Sequence, residues 1–474
     1  MEASSFKPVG KKKVRKPRKR ATIQKQENPK EKETVTAWWG KKDQNAVINK
    51  EDELTSITLK FTTKQQQYAI PQAPVAVKEN VEADQLNAIV ESFLEKAGMV
   101  DDIPHFEFMI EGKLLEMTLG EHLKLVGKSF ESTVEVEFLE RYPPPTPKDN
   151  LEHDDWVSAV MSNGQWLVTG CYDNTVQLWE VGGMKMGRGK EGHKLTIPAH
   201  KAPVKAVAWI RSEGVVKTFA SCSIDQTTLV WDWDSKKNSV ECVYECRGHT
   251  QSVECLGVEK DGKKFATGSW DNSLKIWDAD SKFSSQPAAE TEPNQKKTKR
   301  TKDQRLKTPL MTFAGHSESV SGVDWVSSTQ LVSCSWDHSI RLWDIEAGGK
   351  TSQISGNIAF FCLAYSRTNN ALLAGCADRF VRLYDPRATQ GSIVRNKFEN
   401  HRNWVPTVKW SAADSNCFVT GCYDRKVRVW DMRSSKTPLY SILGHTEKVL
   451  SVDWSSSKHI ASGGADCSAL IYET

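Results

Sequence analysis

From about residue 153 to the end of this 474-residue chain, apolar residues come in short bursts of about five, parted by turn formers. Val320 to Trp325, Gln330 to Ser335 and Ser339 to Trp343 are three consecutive examples. Bursts of that length, rich in β-branched and aromatic side chains, predict strands. Between the second and third stands an Asp followed by Asn, His, Gln or Arg, a pair suited to a tight turn. The phrase recurs. Its acidic residues are Asp173, Asp225, Asp271, Asp337, Asp378, Asp424 and Asp466, and an aromatic follows each by six places, from Trp179 to Tyr472. Upstream come His153, His200, His249, His316, Asn357, His401 and His445, each four residues before a Val or, once, Phe361. Self-similarity with a period of roughly 40–50 residues predicts a seven-unit array.

Residues 54–140 follow other periods. Leu54 to Thr62 alternates, Gln67 to Ile70 begins a partner strand, and Leu86, Ile89, Val90, Phe93 and Leu94 fall on one face of a helix over 83–97. Strands at 106–110 and 114–117, a short helix at 119–125 and a strand at 133–138 complete a ββαββαβ order. One sheet packed on one long helix is a stable two-layer unit. The order resembles a ubiquitin-like domain.

Residues 1–53 show neither period. They hold Lys11, Lys12, Lys13, Arg15, Lys16, Arg18, Lys19 and Arg20, eight basic side chains in ten positions. High charge with little apolar content predicts a disordered tail. A compact basic cluster suits nuclear import, and contact with RNA phosphate is the competing role. A second basic stretch, 281–307 with Lys296 to Arg300, is expected to loop out between units three and four. Net charge is only +4. The eleven cysteines lack any CxxC pair, and several precede the turn Asp by two or three residues. They are expected to be small buried residues in a reducing compartment. With no signal region and no apolar run of about 18 residues, the expectation is a soluble intracellular protein without a membrane partner.

A Ser or Thr stands four residues before the Asp in six copies: Thr169, Ser221, Thr267, Ser333, Thr420 and Ser462. The pattern resembles WD-repeat propellers. That resemblance implies buried chains running from the indole through Ser or Thr and His to the turn Asp. The expected network pairs His200 with Asp225, His249 with Asp271, His316 with Asp337, His401 with Asp424 and His445 with Asp466. A buried carboxylate needs such partners. Catalysis is the other reading of Ser, His and Asp together, but a triad occurs once per site, whereas this group recurs with an aromatic attached. No GxxxxGK[ST] loop is present, and no enzyme activity is expected. The fifth copy has Asn357, Ala374 and Tyr384, and is expected to hold Asp378 less firmly. The last copy ends near the C-terminus with three strands, so its fourth is expected just upstream of His153, within a 141–152 linker and ring-closing segment that begins Tyr142-Pro143-Pro144-Pro145. The expected fold is therefore mainly β. A seven-bladed WD-repeat propeller over 153–474 follows a small α+β ubiquitin-like domain and the basic tail.

That domain pair is found in two related families serving the large ribosomal subunit. Notchless has eight blades and the WD repeat-containing protein 12 family seven. The run Phe106-Glu107-Phe108-Met109-Ile110-Glu111-Gly112-Lys113-Leu114-Leu115 looks like the latter, as do His153-Asp154-Asp155-Trp156-Val157 and Leu450-Ser451-Val452-Asp453-Trp454. The resemblance covers 54–474; the tail lies outside it. It implies a non-enzymatic assembly factor of the nucleus, nucleolus and nucleoplasm. Such a factor acts as a monomer in a hetero-complex with Pescadillo and the Block-of-proliferation protein on pre-60S particles, where rRNA contact through the basic segments stays open. It also implies that the AAA ATPase midasin grips the ubiquitin-like domain. In Ser129-Phe130-Glu131-Ser132-Thr133-Val134, Glu131 matches the glutamate that completes a Mg²⁺ shell held by the ATPase. The chain would bring no cofactor of its own. A hard cation with one open position takes a carboxylate oxygen. Glu121, Glu135, Glu137 and Glu140 are the neighbouring alternatives. A ubiquitin-proteasome adaptor, choosing substrates through the propeller, is the rival function.

Overall fold

The computed structural model describes residues 56–98, 103–115, 117–128, 132–141, 144–181, 192–279, 306–387 and 394–474. The basic cluster at 11–20 and Glu131 lie outside these, as does most of 281–307.

The N-terminal sheet runs in the order β2-β1-β5-β3-β4, built from β1 (Ser56–Thr62), β2 (Pro74–Lys78), β3 (Phe106–Ile110), β4 (Lys113–Leu114) and β5 (Val134–Glu140). β1 and β5 are parallel, with Leu59 opposite Val134. The alternation in β1 sends Ile57, Leu59 and Phe61 inward, where they meet Leu86, Val90 and Leu94 of helix α1 (Ala83–Lys96). Helix α1 starts in a capping box of Glu82 and Gln85. Helix α2 (Leu119–Val126) ends on Gly127 at φ 75°, a left-handed stop that glycine takes without a Cβ penalty. The strand expected at 67–70 is not there. Gln66–Tyr68 is a 3-10 turn, closed by the Tyr68 N–H on Gln65 O at 3.0 Å, and β2 carries the pairing instead. The Tyr68 ring explains the departure: it packs on Phe106 at 5.1 Å and donates its hydroxyl to Glu140 at 3.1 Å, contacts a continuing strand would break.

Seven sheets follow, each with a meander of at least three strands. In the fourth, Val320–Trp325, Gln330–Ser335, Ser339–Asp344 and Gly349–Ser355 run from the centre outward. The residue after every turn Asp has positive φ, from 59° at Cys467 to 73° at Arg425, so the Asp marks the reversal in all seven. β6 (Thr146–Glu152) pairs antiparallel with Ser468–Glu473 and supplies the last blade's outer strand. It lies within the 141–152 segment, after β5 has ended at Glu140. An outer strand tolerates Pro147, whose missing N–H costs nothing at an edge.

Small residues set the blade-to-blade distance. A Cβ on Gly268 would lie 2.6 Å from Val320 Cγ1, and one on Gly170 2.7 Å from Val204 Cγ1. The Val four places after His153, His200, His316, His401 and His445 thus packs onto a glycine of the preceding blade. The ring is also stitched by hydrogen bonds. Asp324 Oδ2 accepts the Tyr365 N–H at 2.9 Å, and Asp453 Oδ2 accepts the Ser162 N–H at 2.8 Å. Trp325 donates its indole N–H back to Gly257 O at 3.0 Å. The Asp453 bond joins the last blade to the first.

One sequence expectation needs correction here. Leu306–Lys307, the end of the expected 281–307 loop, is a strand that pairs in parallel with Ser239–Cys246 as a fifth strand of blade 2. Lys307 anchors it, with Nζ 4.0 Å from the centre of the Tyr244 ring and donating to Asp278 O at 2.6 Å. The N-terminal domain, with a sheet and core of its own, also touches the propeller. Leu439 of blade 6 packs on Met109, Leu114 and Leu139, and Arg433 lies 3.6 Å from Glu137. All eleven cysteines are free, and eight are buried. Burial pushes the thiols of Cys222 and Cys334 up to about 12, which keeps them protonated.

Candidate functional site

Three blades contain the expected chain in full. His200 Nδ1 is 3.0 Å from Asp225, His249 Nδ1 2.8 Å from Asp271 and His316 Nδ1 2.7 Å from Asp337. Each Nε2 is 2.8 Å from Ser221, Thr267 or Ser333. Trp231, Trp277 and Trp343 donate to those hydroxyl oxygens at 3.0, 2.8 and 2.8 Å. The tautomer follows. A carboxylate on Nδ1 requires a hydrogen there, so Nε2 accepts the hydroxyl hydrogen and the oxygen is free for the indole. Burial opposes the Asp337 charge, but Ser339 and His316 hydrogen bonds outweigh it and hold the carboxyl at about 2. Asp225 and Asp271 are held lower still, against burial, by their His and hydroxyl partners.

The other blades change the wiring. In blade 7, His445 bonds Asp466 at 3.0 Å and Ser462 at 2.7 Å, but the Tyr472 hydroxyl that replaces the indole has no partner. In blade 1, His153 reaches Thr169 at 2.8 Å but turns Nδ1 to Leu151 O, while Asp173 takes the Thr175 N–H and hydroxyl. Blade 6 overturns the direct His401 to Asp424 bond. The buried Arg428 comes between, with Nη1 on His401 Nδ1 at 3.1 Å and both amino groups on Asp424 at 3.1 and 2.7 Å. An arginine can only donate, so His401 Nδ1 is an acceptor there and the ring has the opposite tautomer. Its Nε2 faces Thr420 at a long 3.4 Å. Burial, then the Arg428 charge, hold the His401 ring neutral down to about 3. In blade 5 the expected slack on Asp378 is also corrected: Arg382 clamps both its oxygens. One rule covers both blades. A basic residue four places after the Asp does the work of the imidazole.

Blade 6 also brings ligand atoms of His401, Cys422 and Asp424 within 4.8 Å of one another. The Arg428 guanidinium already occupies that space with a positive charge, so the group cannot accept a cation. In these networks the Ser or Thr, His and Asp groups bond one another within the blade.

Among the acidic alternatives near the 129–131 connection, Glu135 is 3.7 Å from Lys60, and Glu137 is 3.1 Å from Lys64. Glu140 accepts from Tyr68. Glu121 is exposed on α2. Among the described residues Glu121 is the one of these carboxylates without such a tie, and Glu131 lies outside them.

The sequence reading overlooked the central mouth. A cavity of about 530 Å³ runs between the inner strands, and the residue just before the turn Asp or the inner-strand Val faces it: Tyr172, Trp270, Trp336, Trp404 and Tyr423. A second aromatic register in the repeat, one place before those landmarks, was the signal.

A WD domain, G-beta repeat family matches 146–180, 192–232, 240–278, 307–344, 350–385, 392–431 and 436–473, and an NLE (NUC135) domain matches 57–123. The chain is 44% identical over 419 residues to the ribosome biogenesis protein WDR12 homolog of Culex quinquefasciatus, covering 88% of this chain and 95% of that one. It is 43% identical to the Drosophila virilis homolog, over 88% and 95% of the two chains. To that of Ixodes scapularis it is 40% identical, over 89% and 99%.

Proposed function

The chain belongs to the WDR12 family of ribosome biogenesis proteins, and from that premise we propose that it is a non-enzymatic scaffold in assembly of the large ribosomal subunit. The observation that carries this reading is identity above 40% over nearly the whole length of relatives bearing that name. The architecture supports it: the repeated Ser, His and Asp groups bond one another inside the blades.

The finer reading has two parts. The propeller joins a complex with Pescadillo and the Block-of-proliferation protein on pre-60S particles in the nucleus and nucleolus. The ubiquitin-like domain is the handle for midasin, and Glu131 supplies one carboxylate oxygen to the Mg²⁺ of the ATPase. The strand glutamates are tied to Lys60, Lys64 and Tyr68, which leaves them less able to serve a partner's cation. Force applied at Glu131 passes to the propeller through β6 and the Arg433 contact.

Glu131→Ala and Glu131→Asp are expected to abolish midasin binding, with the melting curve and Pescadillo-complex assembly unchanged. Equal binding by either variant would remove the metal role. Gradient sedimentation of nuclear extract tests the coarser claim. The wild-type chain should travel with pre-60S particles; recovery with proteasome subunits alone would favour an adaptor instead.

A further inference from the structure

The aromatic residues at the mouth form a continuous chain across four blades. Trp270 meets Trp336 at 5.3 Å between ring centres, Trp336 meets Phe361 at 6.1 Å, Phe361 meets Trp404 at 5.1 Å and Trp404 meets Tyr423 at 5.9 Å. Folding does not need them outside. Trp270 and Trp404 stay 43% and 47% exposed, although the same fold buries Trp233, Trp277 and Trp430 completely. A contiguous apolar patch of this kind on a soluble ring marks an interaction surface. Trp and Tyr are also the residues that most often dominate binding energy.

The charges beside the chain specify the occupant. Arg379, Arg402, Arg425 and Lys448 are exposed along the rim of blades 5 to 7, against Glu447 there and Glu318 beside Trp336. Among the described residues none of the four has a carboxylate within ion-pair distance, whereas Lys205, deeper in the mouth, is already neutralised by Glu254 at 3.1 Å. Unpaired cations around an aromatic strip complement acidic side chains flanking apolar anchors. A nucleic-acid strand fits less well. Successive rings are tilted by 59°, 82°, 40° and 36°, so no parallel slot exists for stacked bases. The mouth also faces away from the small domain. Tyr423 precedes the strand Val427–Asp431 and Arg433 follows it, so the two lie at opposite ends of one blade. A partner seated on the mouth leaves the handle free.

We propose that the arc from Trp270 to Tyr423, with its rim of unpaired cations, docks an acidic protein segment carrying aromatic or aliphatic anchors. The inference rests on the scaffold reading and adds where one partner sits. A benzophenone amino acid in place of Trp404, in the full chain within purified pre-60S particles, gives the direct test. The expected result is one protein adduct, mapped to a segment rich in Asp or Glu. Arg402→Glu with Arg425→Glu should weaken binding to that purified partner by about tenfold or more, with the loss recovered by reversing an acidic residue in the mapped segment. Trp404→Ala should cost about thirtyfold without changing the melting curve. Adducts to RNA, a partner segment without acidic residues, or no adduct while the chain still sediments with the particles would overturn the docking site and leave the scaffold intact. Loss of wild-type sedimentation would strike the scaffold itself.

Discussion

Asp424 and Asp337 occupy the same place in the repeat but are stabilised by different partners. Asp337 relies on an imidazole and Asp424 on a guanidinium buried to 2% exposure. Removing one member of a buried pair strands the other. Arg428→Ala is therefore expected to cost about 3 kcal/mol or more, read as a lowered urea midpoint. Asp337→Asn, which keeps the shape but loses the charge, should cost about 1–3 kcal/mol in the same assay. The pH dependence has two windows of one sign. Asp337, Asp424 and Asp466 sit at about 2 when folded against an ordinary 3.8, so their stabilisation is complete above that ordinary value and lost as pH falls through about 2. His401, at about 3 against 6.5, is protonated first in the unfolded chain, so stability already falls between those values. A His401→Gln variant should show a flatter melting temperature between pH 6.5 and 4 than the parent, with the steep loss near pH 2–4 retained. The landmark residues of the network were legible from spacing alone. The Arg428 and Arg382 substitutions were visible as letters, but their role was not, because only the packed blade shows that a side chain four places on reaches the same pocket.

At the level of elements, the close approach of Val to Gly fixes the ring. Filling Gly268 with a Val side chain would place new atoms against Val320 and Cys255. Gly268→Val is expected to destabilise the propeller by about 1–3 kcal/mol, seen as an earlier thermal transition. β6 matters in another way. Without it Ser468–Glu473 becomes an open edge, and open edges pair with other chains. A chain beginning at residue 153 should elute as oligomers on size-exclusion chromatography, whereas one beginning at 144 should keep the propeller monomeric. The alternation of β1 and the helical stripe of α1 were readable because one face of each is buried. The 3-10 turn at Gln66–Tyr68 was not, since the Tyr68 contacts with Phe106 and Glu140 override the local pattern.

Across the whole molecule, the small domain and the ring are joined by the chain itself and, among the described residues, by Arg433 against Glu137, the Leu439 patch and Tyr440 beside Arg141 and Glu107. Arg433 serves both sides, 2.6 Å from Asp431 and 3.6 Å from Glu137, beside Leu439 and the three apolar residues it covers. Arg433→Ala should loosen the junction, with faster proteolysis around 141–145 and an unchanged propeller melting curve. Equal cleavage rates would show that the Leu439 patch and Tyr440 hold the domains together without Arg433. The sequence by itself determined the number of blades, the turn at each Asp and the element order of the small domain, because these are set by local periods along the chain. Tertiary structure alone decided which residues share the mouth, that Asp453 closes the ring on Ser162, and that Arg433 ties one domain to the other. Those contacts join residues far apart in the chain, and their geometry is set by the closed ring, which no single repeat contains.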